Sequence, residues 1–522
     1  MTGRPTGPAA GQPRTAPRVS RRTALLGGAA MLGAAALAAA GCGRQRLRDA
    51  VPGALVLAVE EQPRQLDPHL AASLAERRLA ALLFTPLVGT DDRPGLAASW
   101  EQRDGPHWRF ALRASPGIDP GGLPAAEVVR WNVERLARLR ASGDLPDAGA
   151  GLPVAAAVVA REVVDLEFDA TIAVVPEALG TFYLVPPTYY AANPAEVAAR
   201  APRGSGPYQL ASWTRERLVL KRVPAAASAE GIDRLLWLTD TASDPRVAMA
   251  IAGEADVAPD LGLQDLYRAT AAGLSIVTTE DAGCVHAQLD ARVGALADPR
   301  VRQGLNLAVN RPRLLKQQYE GRARPLAGIC NGQWENRALS PYPYDPGQAR
   351  ALFEAAGLTY RDDTLYDGDY PLSLPILTDA EYEPAARALG RDLERVGITT
   401  IISSLSSAAL EGARRRPSPF GMIVSYIGGS ASGVGELRWV DSRFRHDLAP
   451  GVLATDPAFQ DRLDALAGAS SPDALRAGVA ALQQDVLDQA PWLFLFRLPR
   501  YTAYRGAASK LDLAPTGEIL LG

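Results

Sequence analysis

The sequence predicts an α/β protein built as two or three lobes. A chain of 522 residues is too long to surround one ordinary core. From residue 345 onward, segments of helical period alternate with short β-branched runs, the pattern of βαβ units and a mixed or parallel sheet. The third observation is Asp298–Tyr319, where one apolar stripe (Val301, Leu305, Ala308, Val309) is interrupted at Asn310 and Pro312 and resumes with Leu314 and Leu315. Asp298 suits an N-cap and Pro299 the first turn, so this stretch reads as helix, break, helix packed on a core.

The elements follow in order. Residues 1–19 are rich in Pro, Gly, Thr and Arg and predict disorder. Arg21-Arg22, a small-residue apolar run to Ala40 and Gly41-Cys42 then form a basic region, a short apolar core and a cut site, the pattern of an export signal. Leu55–Val59 is a β-like run and Leu79–Phe84 a helix. Trp108, Phe110 and Leu112 alternate with Arg109 and Arg113 as a half-buried strand, and Leu218–Arg222 reads as another alternating strand. A helix is expected over Glu127–Leu139 and a surface loop over 141–153. Asp345, Pro346 and Gln348 open a helix whose stripe is Ala349, Leu352, Phe353 and Ala356, closed by Gly357. Strand Leu372–Leu377, helix Pro384–Val396, strand Ile398–Ile402, helix Ser406–Arg415 and strand Phe420–Ile427 follow. Helices over Pro457–Gly468 and Pro472–Gln489 and a strand over Pro491–Phe496 complete the pattern.

Composition narrows the function classes. Hydrophobic content of 47% and charged content of 22% are those of a globular protein, and a net charge of −3 argues against a nucleic-acid binder. The HExxH, GxSxG and P-loop signatures are missing, and the four histidines (His69, His107, His286, His446) stand far apart, which points away from an enzyme and implies no cofactor. Cys42, Cys284 and Cys330 show no CxxC or CxxH spacing, against a structural zinc site. With Cys42 consumed by the signal, Cys284 and Cys330 are either one disulfide or two separately buried thiols.

Several stretches carry a family resemblance. Asp298–Arg311 resembles the "DxRVRQAlnlAidR" segment of the family 5 extracellular solute-binding proteins, the dipeptide-, oligopeptide- and nickel-binding receptors of ABC importers. In the same order, Gln65–His69 resembles "sLDPh", Thr85–Val88 "lyepLv", Gly95–Glu101 "P.LAesWe", Trp108–Arg113 "wtFtLR", Gly204–Tyr208 "GTGPY" and Ala248–Val257 "l.sGevDi". The likeness runs from Leu55 to Tyr504; residues 119–128 keep the family's "sDGtpvTAeDV" only in part, and Cys284–Ala287 replaces "YlgfN". It implies a two-lobed periplasmic-binding-protein type II fold (cluster C), with two crossing strands and a small domain inserted in the first lobe. The implied division is a signal peptide at 1–42, first lobe at 43–83, 203–284 and 496–522, inserted domain at 84–202 and second lobe at 285–495. Arg21-Arg22 resembles a twin-arginine (Tat) signal and Ala39–Cys42 a lipobox, with Cys42 lipidated and the body tethered outside the cytoplasmic membrane.

The implied function is capture of a small-molecule solute between the lobes by a monomeric receptor and delivery to an ABC permease with its ATPases. The membrane is met through the lipid anchor only. Candidate ligand residues are His69, Ser205, Tyr208, Trp334, Tyr426, Ser430, Glu436 and Arg438. Trp334, Trp439, Tyr426 and Tyr183 are each either cleft aromatics or core, and His69 either lines the cleft mouth or is a satisfied turn histidine. Gly428–Gly433 is either an anion-cradling or a flexible loop. Peptide-binding members carry an aspartate here, whereas Tyr426–Gly435 holds no acid and Glu436 is the nearest. That departure weakens a peptide ligand and leaves open a receptor-like scaffold, a sensor or chaperone without transport.

Overall fold

Alternating apolar runs and helical stripes have to bury against each other, and here they do so chiefly in three larger sheets and their helical layers. The structure is a computed structural model. It describes residues 3, 48–89, 95–104, 106–114, 117–145, 152–168, 176–224, 232–239, 243–292, 294–415, 421–429, 434–441, 449, 451–469, 471–505, 511–513, 517 and 519–521. The chain divides into two compact units, Met1–Pro52 and Gly53–Gly522. The predicted signal and Cys42 lie outside the described residues, and the sheets all belong to the second unit.

A seven-stranded mixed sheet forms the first lobe. Leu55–Val59 lies parallel to Arg234–Thr239 and to Val257–Ala258, while Arg217–Arg222, Tyr208–Trp213, Ser275–Glu280 and Pro499–Tyr504 run in antiparallel pairs. Arg217–Arg222 does not alternate as its sequence suggests: Leu218, Val219 and Leu220 are all buried, because this interior strand has both faces covered. A four-stranded sheet (Ala97–Asp104, His107–Leu112, Val163–Phe168, Pro153–Ala160) packs on the helix Ala125–Ser142 around its own core.

The second lobe carries a six-stranded sheet ordered Arg324–Pro325, Trp492–Arg497, Cys284–Leu289, Met422–Ile427, Ser373–Thr378, Thr399–Ser404. The last three strands are parallel and the others antiparallel, so the sheet is mixed. Helices Pro299–Ala308, Arg311–Tyr319, Pro346–Ala355 and Glu383–Glu394 cover one face, whose core joins Val301, Leu305, Leu314, Phe353, Leu389 and Leu495. Pro457–Ala465 and Pro472–Gln489 enclose a second core on Trp492 and Phe494.

The stretch Asp298–Tyr319 folds as its sequence predicts and then does more. Asp298 accepts from Arg300 N at 2.8 Å, and Asn310 caps the second helix by accepting from Arg313 N at 2.9 Å. Val309 is the C-cap of the first helix, with extended backbone, and is buried in one core with Val301, Leu305 and Ala308 as the stripe predicts. Arg302 and Arg311 are buried and spend their guanidinium groups on carbonyl oxygens, Arg302 on Gln489 O (2.8 Å) and Leu296 O (2.8 Å), Arg311 on Asn306 O (2.8 Å). Burial lowers both to about 10. Fully buried Asn306 donates to Trp492 O at 2.8 Å and accepts from Phe494 N at 3.2 Å and Arg311 Nη2 at 2.7 Å. The motif therefore braces a sheet strand.

The chain passes from the first sheet to the second between Glu280 and Cys284 and returns between Arg497 and Pro499. Asp281 N donates to Leu498 O at 3.2 Å, so the two crossings are bonded to each other.

Candidate functional site

Two lobes joined by two short segments place any shared site beside those segments. Asp281 stands in the first crossing; its Oδ1 accepts from Gly283 N at 2.9 Å and from the Tyr426 hydroxyl at 3.0 Å. Arg500, two residues past the second crossing, donates to Tyr426 Oη at 3.1 Å and pairs with Asp281 at 3.1 Å and Asp260 at 2.9 Å. Asp260 also pairs with Arg78 at 2.7 Å. Although burial works against it, Asp281, Tyr426 and Asp260 hold the Arg500 charge above its ordinary range. Burial likewise opposes ionisation of Asp260, but Arg78 and Arg500 keep its carboxyl low. The Tyr426 hydroxyl is raised, first by burial and then by Asp281.

Glu381, just past the strand Ser373–Thr378, feels Glu60 of the first lobe as a neighbouring negative charge and Arg500 as a positive one; desolvation leads in raising its carboxyl. Elsewhere between the lobes, Arg324 pairs with Glu280 of the first lobe and Glu335 of the second, each at 2.5 Å, and Tyr267 meets Glu320. The facing surfaces are thus polar and charged, suited to a solute that exchanges water for hydrogen bonds.

Behind the hinge, Arg497 is buried and holds the first crossing by donating to Asp281 O (3.1 Å) and Ala282 O (2.6 Å). Asn331 adds a bond to Ala282 O at 3.2 Å and one to Glu436 Oε1 at 2.9 Å. A Cβ at Gly429 would collide with Ala282 O, so glycine is needed there for close packing on the hinge.

Of the residues singled out from sequence, Tyr426 is the one that the described interactions bring to the interlobe bonds. His69 is buried against the strand Tyr183–Leu184 and the helix Ala125–Ser142: Nε2 bonds Tyr183 O at 2.9 Å, Arg135 approaches Nδ1 at 2.5 Å, and Arg135 pairs with Asp67. Burial first, then the Arg135 charge, lower its pKa to about 4. It is the satisfied turn histidine. Tyr208 is fully buried and donates to Ile232 O at 2.9 Å, and Ser205 bonds the Thr85 hydroxyl at 3.0 Å. The Gly204–Tyr208 turn is a packing device, since a Cβ at Gly204 would strike Leu83 O and one at Gly206 would lie 2.5 Å from Phe84 N. Trp334, Trp439 and Tyr183 are buried in cores, and Glu436 is fully enclosed. Ser430 lies outside the described residues, as does the side chain of Arg438, whose backbone belongs to the short 3-10 helix Gly435–Val440. Cys284 and Cys330 are two free buried thiols in one core, both raised by burial, Cys284 to about 12.

Sequence reasoning missed Arg500, Asp260 and Asp281. No local motif marks them, because each takes its meaning from partners far away in the chain. A cavity of about 620 Å³ lies apart from the hinge, between Ile118, Pro186 and the strand Tyr208–Trp213, with Arg203 over the Tyr189 ring at 5.2 Å on its wall.

Comparison with known proteins agrees with this architecture. The family described as bacterial extracellular solute-binding proteins, family 5 Middle, matches residues 93–438. A glutathione-binding protein GsiB of Salmonella choleraesuis (strain SC-B67) is 29% identical over 250 residues, 46% of either chain, and that of Escherichia coli (strain K12) is 26% identical over 312 residues, 56% of this chain and 58% of the other. The aligned stretch thus spans about half the length of these relatives. Among solved structures, NikA from Brucella suis in complex with Fe(III)-EDTA has a TM-score of 0.76 at 19% identity, covering 90% of this chain and 99% of that one. The oligopeptide-binding protein AppA from Bacillus subtilis, in complex with a nonapeptide, has a TM-score of 0.70 at 17% identity, covering 90% and 99%.

Proposed function

Because the chain belongs to the bacterial extracellular solute-binding proteins of family 5, we propose that it captures a small polar solute between its two lobes and delivers it to an ABC permease powered by ATPase subunits. The observation that carries this reading is the hinge: two sheets of separate cores connected by two short crossings bonded to each other. Such a connection permits closure of one lobe on the other, and a solute drives closure only by binding the closed form more tightly than the open one. The reading includes the lobe boundaries given above, with Cys284–Leu289 and Trp492–Arg497 as the strands flanking the crossings. It includes a monomeric, non-enzymatic body, exported by the twin-arginine route and held outside the cytoplasmic membrane through lipidated Cys42. The relatives bear the names of glutathione, peptide and nickel-complex binders, which supports a peptide-like or other small polar solute. The absence of an acid from Tyr426 to Gly435 favours ligands other than those peptides whose amino group needs one there.

Native mass spectrometry of protein purified gently from its own host, followed by a thermal-shift screen of peptides, sugars, metals and siderophores, tests the reading. A true solute at a hundred times its Kd stabilises by about 2.7 kcal/mol. Neither a retained molecule nor any stabilising compound would move the conclusion to a receptor-like scaffold without transport, a sensor or chaperone, which the same missing acid also favours.

A further inference from the structure

The hinge carries one hydroxyl that belongs to one lobe and is bonded to the other. Tyr426 is fixed to the second sheet by its strand, in register with Val285, and its hydroxyl crosses to Arg500 in the first sheet at 3.1 Å while donating to Asp281 in the crossing at 3.0 Å. Behind Arg500 the charges are balanced and linked in series: Asp281, Arg500, Asp260 and Arg78, whose side chains are 7%, 15%, 16% and 3% exposed. Arg78 in turn donates to Gly517 O at 2.6 Å. Two cations and two carboxylates cancel, so the chain is neutral and its partial burial limits screening by salt. Gly283 completes the geometry, because a Cβ there would collide with the Tyr426 hydroxyl and lie 2.5 Å from Ile427 O.

We propose that Tyr426 is a positioning residue for solute capture, setting the angle between the lobes through Arg500 and Asp281 without itself touching the solute. The Tyr426–Arg500 bond can be made over a narrow range of lobe angles, since its ends stand on different sheets. The Arg500–Asp281 and Arg500–Asp260 pairs sit in the first lobe and the crossing, and persist without the phenol. Removing the hydroxyl therefore loosens the lobe angle at the hinge, while the charges stay paired and the Arg324–Glu280 and Tyr267–Glu320 contacts remain. What the motion serves rests on the capture reading; the motion itself is measurable without any solute.

The test uses the full chain with Cys42→Ser, spin-labelled at Arg215→Cys in the first lobe and Tyr370→Cys in the second, both exposed positions, while buried Cys284 and Cys330 stay unlabelled. Interlobe distances are read by double electron–electron resonance with no solute present. Loss of one hydrogen bond to charged groups shifts the equilibrium between lobe angles by about ten- to a hundredfold. Tyr426→Phe is thus expected to displace or broaden the distance distribution while the unfolding temperature stays within a few degrees of wild type. Adding Asp281→Asn to Tyr426→Phe should change the distribution less than Asp281→Asn does alone, because the two share one bond. Superposable distributions for wild type and Tyr426→Phe overturn the proposal. Should Tyr426→Phe fail to fold, Arg500→Lys retains a cation for both carboxylates but loses the reach to Tyr426. In the same measurement a displaced or broadened distribution for Arg500→Lys supports the proposal, and one superposable on wild type overturns it. A released lobe angle in a protein that binds no solute would sink the capture reading alone.

Discussion

Asn306 should be among the most sensitive single positions in the second lobe. It is fully buried, and its amide meets four partners: Arg302 O at 3.1 Å, Trp492 O at 2.8 Å, Phe494 N at 3.2 Å and Arg311 Nη2 at 2.7 Å. Asn306→Ala strands the Phe494 N–H and one arm of a buried guanidinium. An unsatisfied buried donor costs about 1–3 kcal/mol, and more for a charged group, so the expected loss is about 3–5 kcal/mol. In a unit of this size each kcal/mol lowers the unfolding temperature by about 2–4 °C, which predicts a fall of about 6–20 °C. Differential scanning calorimetry is the assay, since lobes with separate cores can unfold in separate transitions. A fall under about 2 °C, with the fold unchanged by circular dichroism, would refute the claim that this motif braces the strand Trp492–Arg497.

Acid should weaken the fold from about pH 6.5 downward. His69 and His286 are lowered by burial from 6.5 to about 4 and about 3, with Arg135 and Arg414 respectively adding to the effect. Each neutral ring therefore contributes stability that is complete above about pH 6.5 and is lost as pH falls toward its folded value, on the order of 3–5 kcal/mol apiece. Unfolding temperatures that stay level between pH 7.5 and 4.5 would contradict this. Gly206→Ala should cost about 1–3 kcal/mol through its collision with the end of the helix Leu74–Leu83, whereas Ala at Gly117, where a Cβ meets open space, should be nearly silent; chemical denaturation compares them. Alkylation should leave Cys284 and Cys330 unmodified in native protein and modify both in denaturant without reductant, and recovery of a linked peptide pair would reverse the assignment of free thiols.

Elements whose cause is local could be read directly from the sequence. Pro472–Gln489 lies where the spacing puts it, and Asp345 accepts from Gln348 N at 2.8 Å as its cap position demands. Caps, proline stops and apolar periods act within one or two turns, so neighbours in sequence suffice to decide them. The alternating α/β order of the second lobe was determined in the same way. The candidate site was not legible by those means. Tyr426 finds Asp281 from 145 residues away and Arg500 finds Asp260 from 240, distances over which no sequence period operates. His69, Ser205 and Tyr208 stand in conspicuous motifs, yet the fold spends them on internal bonds, His69 to Tyr183 O, Ser205 to the Thr85 hydroxyl and Tyr208 to Ile232 O, because a buried polar group must find a hydrogen-bond partner. The sequence alone determined which segments are helices and strands and which family they belong to; only tertiary packing decided which polar side chains hold the interior together and which stand at the hinge, since that follows from partners brought together by the fold.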